Sequence, residues 1–289
     1  MVMCRLFGMS GAPIRVRATF WLLEAPDSLA EQSRREPDGT GLGSFDPIGH
    51  PEVAKQPLAA YEDQAFAREA REVSSATFVA HVRYASTGGL VRRNTHPFEQ
   101  HGRLFAHNGV IQGLDALDAE LGSARALVHG DTDSERFFAL ITREIERAGG
   151  DVAAGIAAAA GWVARELPVL SLNLVMITAR ELWALRYPDT HELYVLERSP
   201  GGPHGGHHLD HASARGSLRV RSGELAARRA VVVATERMDE DPGWRPLSSG
   251  ELLHVDPAGH AHRRTVLAED PVHRLTLAEL DPQAAGSQA

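Results

Sequence analysis

Apolar residues recur along this chain with two periods, and the order of those periods predicts its layout. Cys4–Met9 alternates loosely and reads as a short strand, closed by a turn at Ser10-Gly11-Ala12-Pro13. Val16–Glu24 is apolar without a period that separates helix from strand. Ser28–Arg35 predicts a short helix capped by Ser28, and Tyr61–Val73 an amphipathic helix with a charged face. Between them the glycines of Asp38-Gly39-Thr40-Gly41-Leu42-Gly43 read as a tight loop feeding a strand. A phosphate loop is rejected there, because no Lys-Ser/Thr follows. Ala76–Arg83 is β-rich and predicts a buried strand. Leu104–His107 predicts a second strand, ended by a turn at Asn108-Gly109.

Helical spacing then takes over. Asp133–Arg147 places Phe137, Leu140, Ile141 and Ile145 on one side, and Asp151–Glu166 is alanine-rich. Strands return at Leu170–Ile177, Leu182–Arg186, Leu193–Leu196, Ala230–Thr235 and Glu251–Val255, and His262–Leu267 is expected to pair back across Pro257-Ala258-Gly259. Tyr84–Phe98 and the Gly/His-rich Ser199–Gly216 read as loops, and the small, polar Asp281–Ala289 as a frayed, flexible tail. Strands, two helices, then more strands predict an α+β fold of layered, mostly antiparallel sheets.

Composition narrows the function. A net charge of −8 with no basic stripe argues against a nucleic-acid partner. The longest apolar stretch, Val169–Ile177, is too short to span a bilayer, and no signal peptide is visible, so no membrane partner and a cytoplasmic location are expected. A single cysteine excludes an intrachain disulfide framework and suits a reducing compartment.

That cysteine, Cys4, follows a methionine that is itself a candidate translation start. With Met3 as the start and then trimmed, Cys4 carries a thiol and a free α-amine together. The amine titrates near ~8 and the thiol near ~8.5, so the amine can accept the thiol proton near neutral pH. Taken alone, Cys4 also fits a small buried hydrophobe. Arg83 ends a predicted buried strand and needs a partner, either an internal carboxylate or a substrate carboxylate. Asn108-Gly109 fits an ordinary hairpin turn, or a pair of donors for an oxyanion. Asp131, Thr132 or Asp133 fits a helix cap with Glu135 in the first turn, and Asp133 also suits a substrate ammonium. His204, His207, His208 and His211 fit a surface loop better than a zinc or nickel site.

In order, the chain carries a near-terminal Cys4, His81-Val82-Arg83-Tyr84-Ala85-Ser86-Thr87-Gly88, Asn94-Thr95-His96-Pro97-Phe98, His107-Asn108-Gly109 and Asp131-Thr132-Asp133-Ser134-Glu135. Together these resemble the class II glutamine amidotransferases, a branch of the N-terminal nucleophile hydrolases. The Met-Cys-Arg-Leu-Phe-Gly start resembles stand-alone members related to γ-glutamyl peptide and γ-glutamyl amide hydrolases. The resemblance implies a four-layer α/β/β/α sandwich over residues 4–267, with 268–289 as a C-terminal extension. It implies Cys4 as nucleophile, Asn108 and Gly109 as oxyanion hole, Arg83 for the substrate α-carboxylate, Asp133 for the α-ammonium, and Ser86 and Thr87 as pocket residues. His96 and His107 are expected to be structural. The substrate is then a small γ-glutamyl compound, cleaved with no cofactor and no metal. The protein is either a free hydrolase or the ammonia-releasing subunit beside a synthetase or acceptor subunit. The competing reading is a non-catalytic ligand-binding or interaction module on the same fold. Related stand-alone members often carry Asp-Gly-Trp-Gly where this chain has Asp38-Gly39-Thr40-Gly41, so the pocket wall is expected to differ.

Overall fold

The alternation that begins at Cys4 becomes strand β1 (Arg5–Ser10), every residue of which is buried. The computed structural model describes residues 4–34, 38–83, 89–200, 210–212, 219–221 and 228–288. β1 is followed by β2 (Gly39–Phe45), β3 (Pro51–Gln56) and β4 (Thr77–Arg83). A second sheet starts with β5 (Phe98–Gln100) and β6 (Arg103–Ile111) and continues with β7 (Pro168–Ile177) and β8 (Leu182–Leu185). The chain returns to the first sheet with β9 (Tyr194–Arg198). After a ribbon of β10 (Asp210–Ala212) and β11 (Arg219–Arg221) it adds β12 (Ala230–Ala234) and β13 (Arg245–Pro246). β14 (Glu251–Val255), β15 (Ala261–Thr265) and β16 (His273–Arg274) complete the second sheet.

The sheet orders are β13-β9-β12-β1-β4-β2-β3 and β15-β14-β8-β7-β6-β5. Every described pairing is antiparallel except that of β16, which lies parallel to the start of β7. Short helices α1 (Leu29–Gln32) and α2 (Gln64–Glu72) accompany the first sheet. The second sheet carries α3 (Leu114–Leu121), α4 (Asp133–Arg147) and α5 (Val152–Glu166).

Side-chain alternation explains the layers. Leu6, Val79, Leu104 and Val175 face one cluster between the sheets. Their neighbours turn outward: Phe7 and Phe78 meet Trp21 and Phe66 on one side. Phe105 and Leu174 meet Phe137, Ile141 and Ile156 on the other. A period of two on each strand thus feeds three apolar layers and yields the expected helix–sheet–sheet–helix sandwich. No described helix is long and apolar enough to cross a membrane.

Four local expectations are corrected or resolved. Asn108-Gly109 makes no turn: β6 runs through it, with Asn108 opposite Asn173 and Gly109 opposite Leu172. The glycine serves close approach instead, since a Cβ at Gly109 would lie 1.8 Å from the Ser171 carbonyl oxygen. The early glycines lie within β2 rather than in a loop before it, and a Cβ at Gly41 would lie 1.9 Å from the His96 carbonyl oxygen. In the ambiguous Val16–Glu24 stretch, Val16 bridges to Ser75 and Phe20–Glu24 forms one π-helical turn. The end of the described chain does not fray. Pro282–Gly286 forms a short helix, α6, and Ser287 and Gln288 are buried.

Candidate active site

Cys4 sits immediately before β1, in the centre of the first sheet, and is buried. Directly across the sandwich, β6 brings Asn108 to it: Asn108 Nδ2 donates to the Cys4 carbonyl oxygen at 2.9 Å. An amide nitrogen carries two hydrogens, so this bond holds the side chain beside Cys4 and leaves a second N–H on the same nitrogen. Cys4, Arg83, Gly109 and Asp133 line one cavity.

Arg83 is the last residue of β4, and its Nη1 donates to the Gly89 carbonyl at 3.2 Å. Burial pushes its pKa down, and the charges of Cys4, Asp38 and Asp133 pull it back up. A guanidinium so placed favours an anionic occupant of the cavity.

Asp133 is the first residue of α4. Thr132 caps that helix, its hydroxyl accepting from the Glu135 N–H at 3.2 Å. Glu135 Oε2 accepts from the Gly130 N–H at 2.6 Å, which closes the preceding turn. Asp133 Oδ2 accepts from the Ile111 N–H and Oδ1 from the Ser134 N–H, both at 2.9 Å. Two elements therefore aim one carboxylate into the cavity, and its charge suits an ammonium.

His107 is locked. Its Nδ1 accepts from the Ser134 hydroxyl at 3.0 Å and its Nε2–H donates to the Ser171 carbonyl at 3.2 Å. Burial lowers its pKa, opposed by the Asp133 charge, and a neutral ring satisfies both partners.

The opposite side differs. His81 from β4 and His96 pack at a 42° tilt with ring centroids 4.2 Å apart. None of their four ring nitrogens has a hydrogen bond of good geometry among the described residues, although the His107 backbone lies near enough to His81 to favour its protonated form, and both rings line the cavity. Burial, then the Arg83 charge, holds His81 down at about 3. Burial and the neighbouring cations hold His96 well below the ordinary histidine value. Lys55 fixes the segment carrying His96, donating to the Thr95 carbonyl at 2.7 Å and the Pro97 carbonyl at 3.1 Å.

The structure thus gathers Cys4, Arg83, Asn108, Gly109 and Asp133. Ser86 and Thr87 lie outside the described residues, as do His204, His207 and His208; His211 falls in β10. Among the described residues no group of three or more His, Cys, Asp or Glu is arranged to hold a metal. Sequence reasoning missed Asn94, whose Oδ1 accepts from the Asp131 N–H at 2.9 Å and which also lines the cavity. It headed a quoted motif but was given no role. It also missed Gln288, for which no motif gave a signal.

Two facing antiparallel sheets between helical layers, with a buried cysteine at the head of a central strand, define a sandwich of the N-terminal nucleophile type. The family model described as class-II glutamine amidotransferases matches residues 3–274, and the chain belongs to that family. A γ-glutamyl-hercynylcysteine sulfoxide hydrolase of Mycobacterium tuberculosis is 28% identical over 267 residues, covering 89% of this chain and 94% of that protein. An uncharacterized protein of Methanocaldococcus jannaschii is 28% identical over 244 residues, covering 78% of this chain but only 63% of its own length. Among solved structures, the glutamine phosphoribosylpyrophosphate amidotransferase of B. subtilis superposes with a TM-score of 0.63 at 19% identity, covering 92% of this chain and 50% of that one. This last likeness speaks for the fold.

Proposed function

We propose that this chain is an amidohydrolase that cleaves the γ-amide of glutamine or of a γ-glutamyl conjugate through Cys4. The observation that carries the reading is the convergence of Cys4, Arg83 and Asp133 on one cavity, with the Asn108 amide held beside the cysteine. Arg83 takes the α-carboxylate and Asp133 the α-ammonium of the glutamyl head. Holding both charges places the γ-carbonyl at the Cys4 sulfur and removes most of the orientational cost of attack.

With Cys4 as the first residue of the mature protein, its α-amine takes the thiol proton and sulfur adds to the carbonyl carbon. The resulting oxyanion is met by the second Asn108 N–H and by the Gly109 backbone N–H. Collapse breaks the C–N bond, and the protonated α-amine returns the proton to the leaving nitrogen. Ammonia or an amine departs, and a γ-glutamyl thioester remains. Water, deprotonated by the same amine, then adds to the thioester and releases glutamate and the thiol. The relative that is matched over nearly its whole length is named for a γ-glutamyl conjugate, which favours a conjugate over ammonia delivery to a synthetase.

The test is intact mass before and after incubation with a diazoketone analogue of glutamine. The expected result is one added label on Cys4, prevented by excess glutamine and absent from Cys4→Ala. That variant should remain folded and lose turnover by on the order of 10⁴-fold or more. A protein that begins at Cys4 and takes no label would instead support a ligand-binding module.

A further inference from the structure

The last described segment has no hydrophobic reason to bury its end, yet it does. Residues Gln283–Gln288 read Gln-Ala-Ala-Gly-Ser-Gln, a run expected to stay in solvent. Instead Ser287 is 0% and Gln288 2% exposed. The approach is well anchored. β16 pairs with Pro168 and Val169 at the start of β7, and the Leu275 N–H donates to the Val169 carbonyl at 2.8 Å. Leu275, Leu280 and Ala284 then pack on Val110 and Leu170, one position beyond Gly109 and one before Ser171. The segment is therefore fastened to the two strands that carry the Asn108 side of the site.

Its last described residue ends in a specific seat. Gln288 Oε1 accepts from His191 Nε2 at 3.0 Å, and Gln288 Nε2 donates to the Ser287 hydroxyl at 3.3 Å. The His191 backbone is itself fixed, its carbonyl accepting from Arg186 Nε at 2.9 Å and Asn173 Nδ2 at 3.2 Å. Asn173 stands opposite Asn108 in the β6–β7 ladder. Gln288 lines the same cavity as Cys4, Arg83 and Asp133.

We infer that Gln288, seated by His191, is a specificity-determining wall of the catalytic cavity and limits the size of the group that the γ-glutamyl substrate carries. The inference rests on the proposed hydrolase reading. His191 acts through Gln288 and is a positioning residue. A wall of this kind discriminates by excluded volume: a long side chain there admits glutamine and compact γ-glutamyl conjugates and resists those that carry a rigid, bulky group. Shortening it opens the cavity without touching Cys4, Arg83, Asn108 or Asp133.

The experiment compares Gln288→Ala, Gln288→Met and His191→Phe with the parent protein in two assays. In the first, kcat and KM are measured for glutamine and for a bulky γ-glutamyl anilide. Gln288→Ala should raise the anilide-to-glutamine ratio of kcat/KM by about tenfold or more, mainly through KM. Gln288→Met keeps the length and should stay near the parent ratio, and His191→Phe should shift it in the same direction as Gln288→Ala. In the second, Cys4 is alkylated with iodoacetamide and with a bulky maleimide. Gln288→Ala should accelerate the maleimide by about tenfold relative to iodoacetamide, as expected when one side chain's bulk is removed from the path. An unchanged ratio in both assays, or a parallel loss on both substrates tracking a fall in Tm, overturns the wall. If no variant turns over either substrate but the alkylation ratio shifts, the wall stands and the hydrolase reading falls.

Discussion

The cavity has two walls of opposite character. On the α4 side Asp133, Ser134 and His107 form one bonded group. Asp133 accepts from two backbone N–H groups, His107 is bonded at both nitrogens, and the Ser134 hydroxyl lies between them. On the β4 side His81 and His96 pack against each other at a 42° tilt, with no hydrogen bond of good geometry to any ring nitrogen among the described residues. The first wall resembles a preorganised electrostatic device, whose charge is fixed before a ligand arrives. The His81–His96 pair, beside the charged Arg83, is a desolvated, neutral patch, which strengthens the charges across the cavity by excluding water. The difference teaches that neighbouring groups in the site divide two tasks: the surroundings of Asp133 aim a charge, and the His81–His96 pair lowers the dielectric around it.

The sharpest way to break this division is to neutralise the aimed charge. Asp133→Asn keeps the shape but replaces a double acceptor by a group with one acceptor and one donor. One of the two backbone donors, Ile111 or Ser134, then faces an NH₂. Activity should fall by on the order of 10³-fold in kcat/KM, since both the ammonium partner and its geometry are lost. Steady-state kinetics read this directly, and an unchanged kcat/KM would remove Asp133 from the ordered wall's function.

Stability should separate the walls next. His107→Phe strands the Ser171 carbonyl and one bond of the Ser134 hydroxyl, at a cost of about 3 kcal/mol. His96→Phe strands nothing among the described residues and should stay within about 1.5 kcal/mol of the parent. Urea midpoints measure both, and equal losses would show that the two walls are bonded alike.

Acid should act through the neutral wall. His81 is held at about 3, first by burial and then by the Arg83 charge. An unfolded histidine titrates near ~6.5, so as pH falls through that value the unfolded chain takes up a proton that the folded chain refuses. Stability is therefore complete above about pH 6.5 and falls as pH drops toward about 3. His81→Phe should remove about 2 kcal/mol of the parent's loss between pH 7 and pH 5. A parent and variant with the same pH dependence would mean that His81 protonates in the folded state.

Much of this was legible before any coordinates. The helices at Asp133–Arg147 and Asp151–Glu166 carry long, regular apolar patterns, and both were read to within a residue. Cys4, Arg83, Asn108, Gly109 and Asp133 each sit in a local motif, and the family resemblance those motifs carry in that order implied their convergence. What failed was local chemistry overruled by packing. Asn108-Gly109 has strong turn propensity, but β7 offers a full ladder and the Ser171 carbonyl occupies the space of a side chain. The contrast between the walls was illegible for a related reason. His81, His96 and His107 look alike in sequence, and only their neighbours decide which is bonded. Gln288 lay furthest from view, because its partner His191 is 97 residues away and neither lies in a motif.

The smallest effect tests whether the ordered wall is one unit. Thr132 caps α4 through the Glu135 N–H, and Ser134, two residues on, bonds His107. Thr132→Ala should cost about 1 kcal/mol, the ordinary worth of a cap. Ser134→Ala should cost about 1–2 kcal/mol, because it leaves His107 Nδ1 buried without its donor. If the wall is a single network, loosening the cap already relaxes the backbone that holds Ser134 and Asp133. The double variant should then lose about 0.5–1 kcal/mol less than the sum of its parts. Thr132→Ser, which restores the hydroxyl, should recover the parent stability and the parent coupling. Strict additivity in urea melts would mean that the cap serves the helix alone, and that Asp133 owes its aim only to the Ile111 and Ser134 N–H groups.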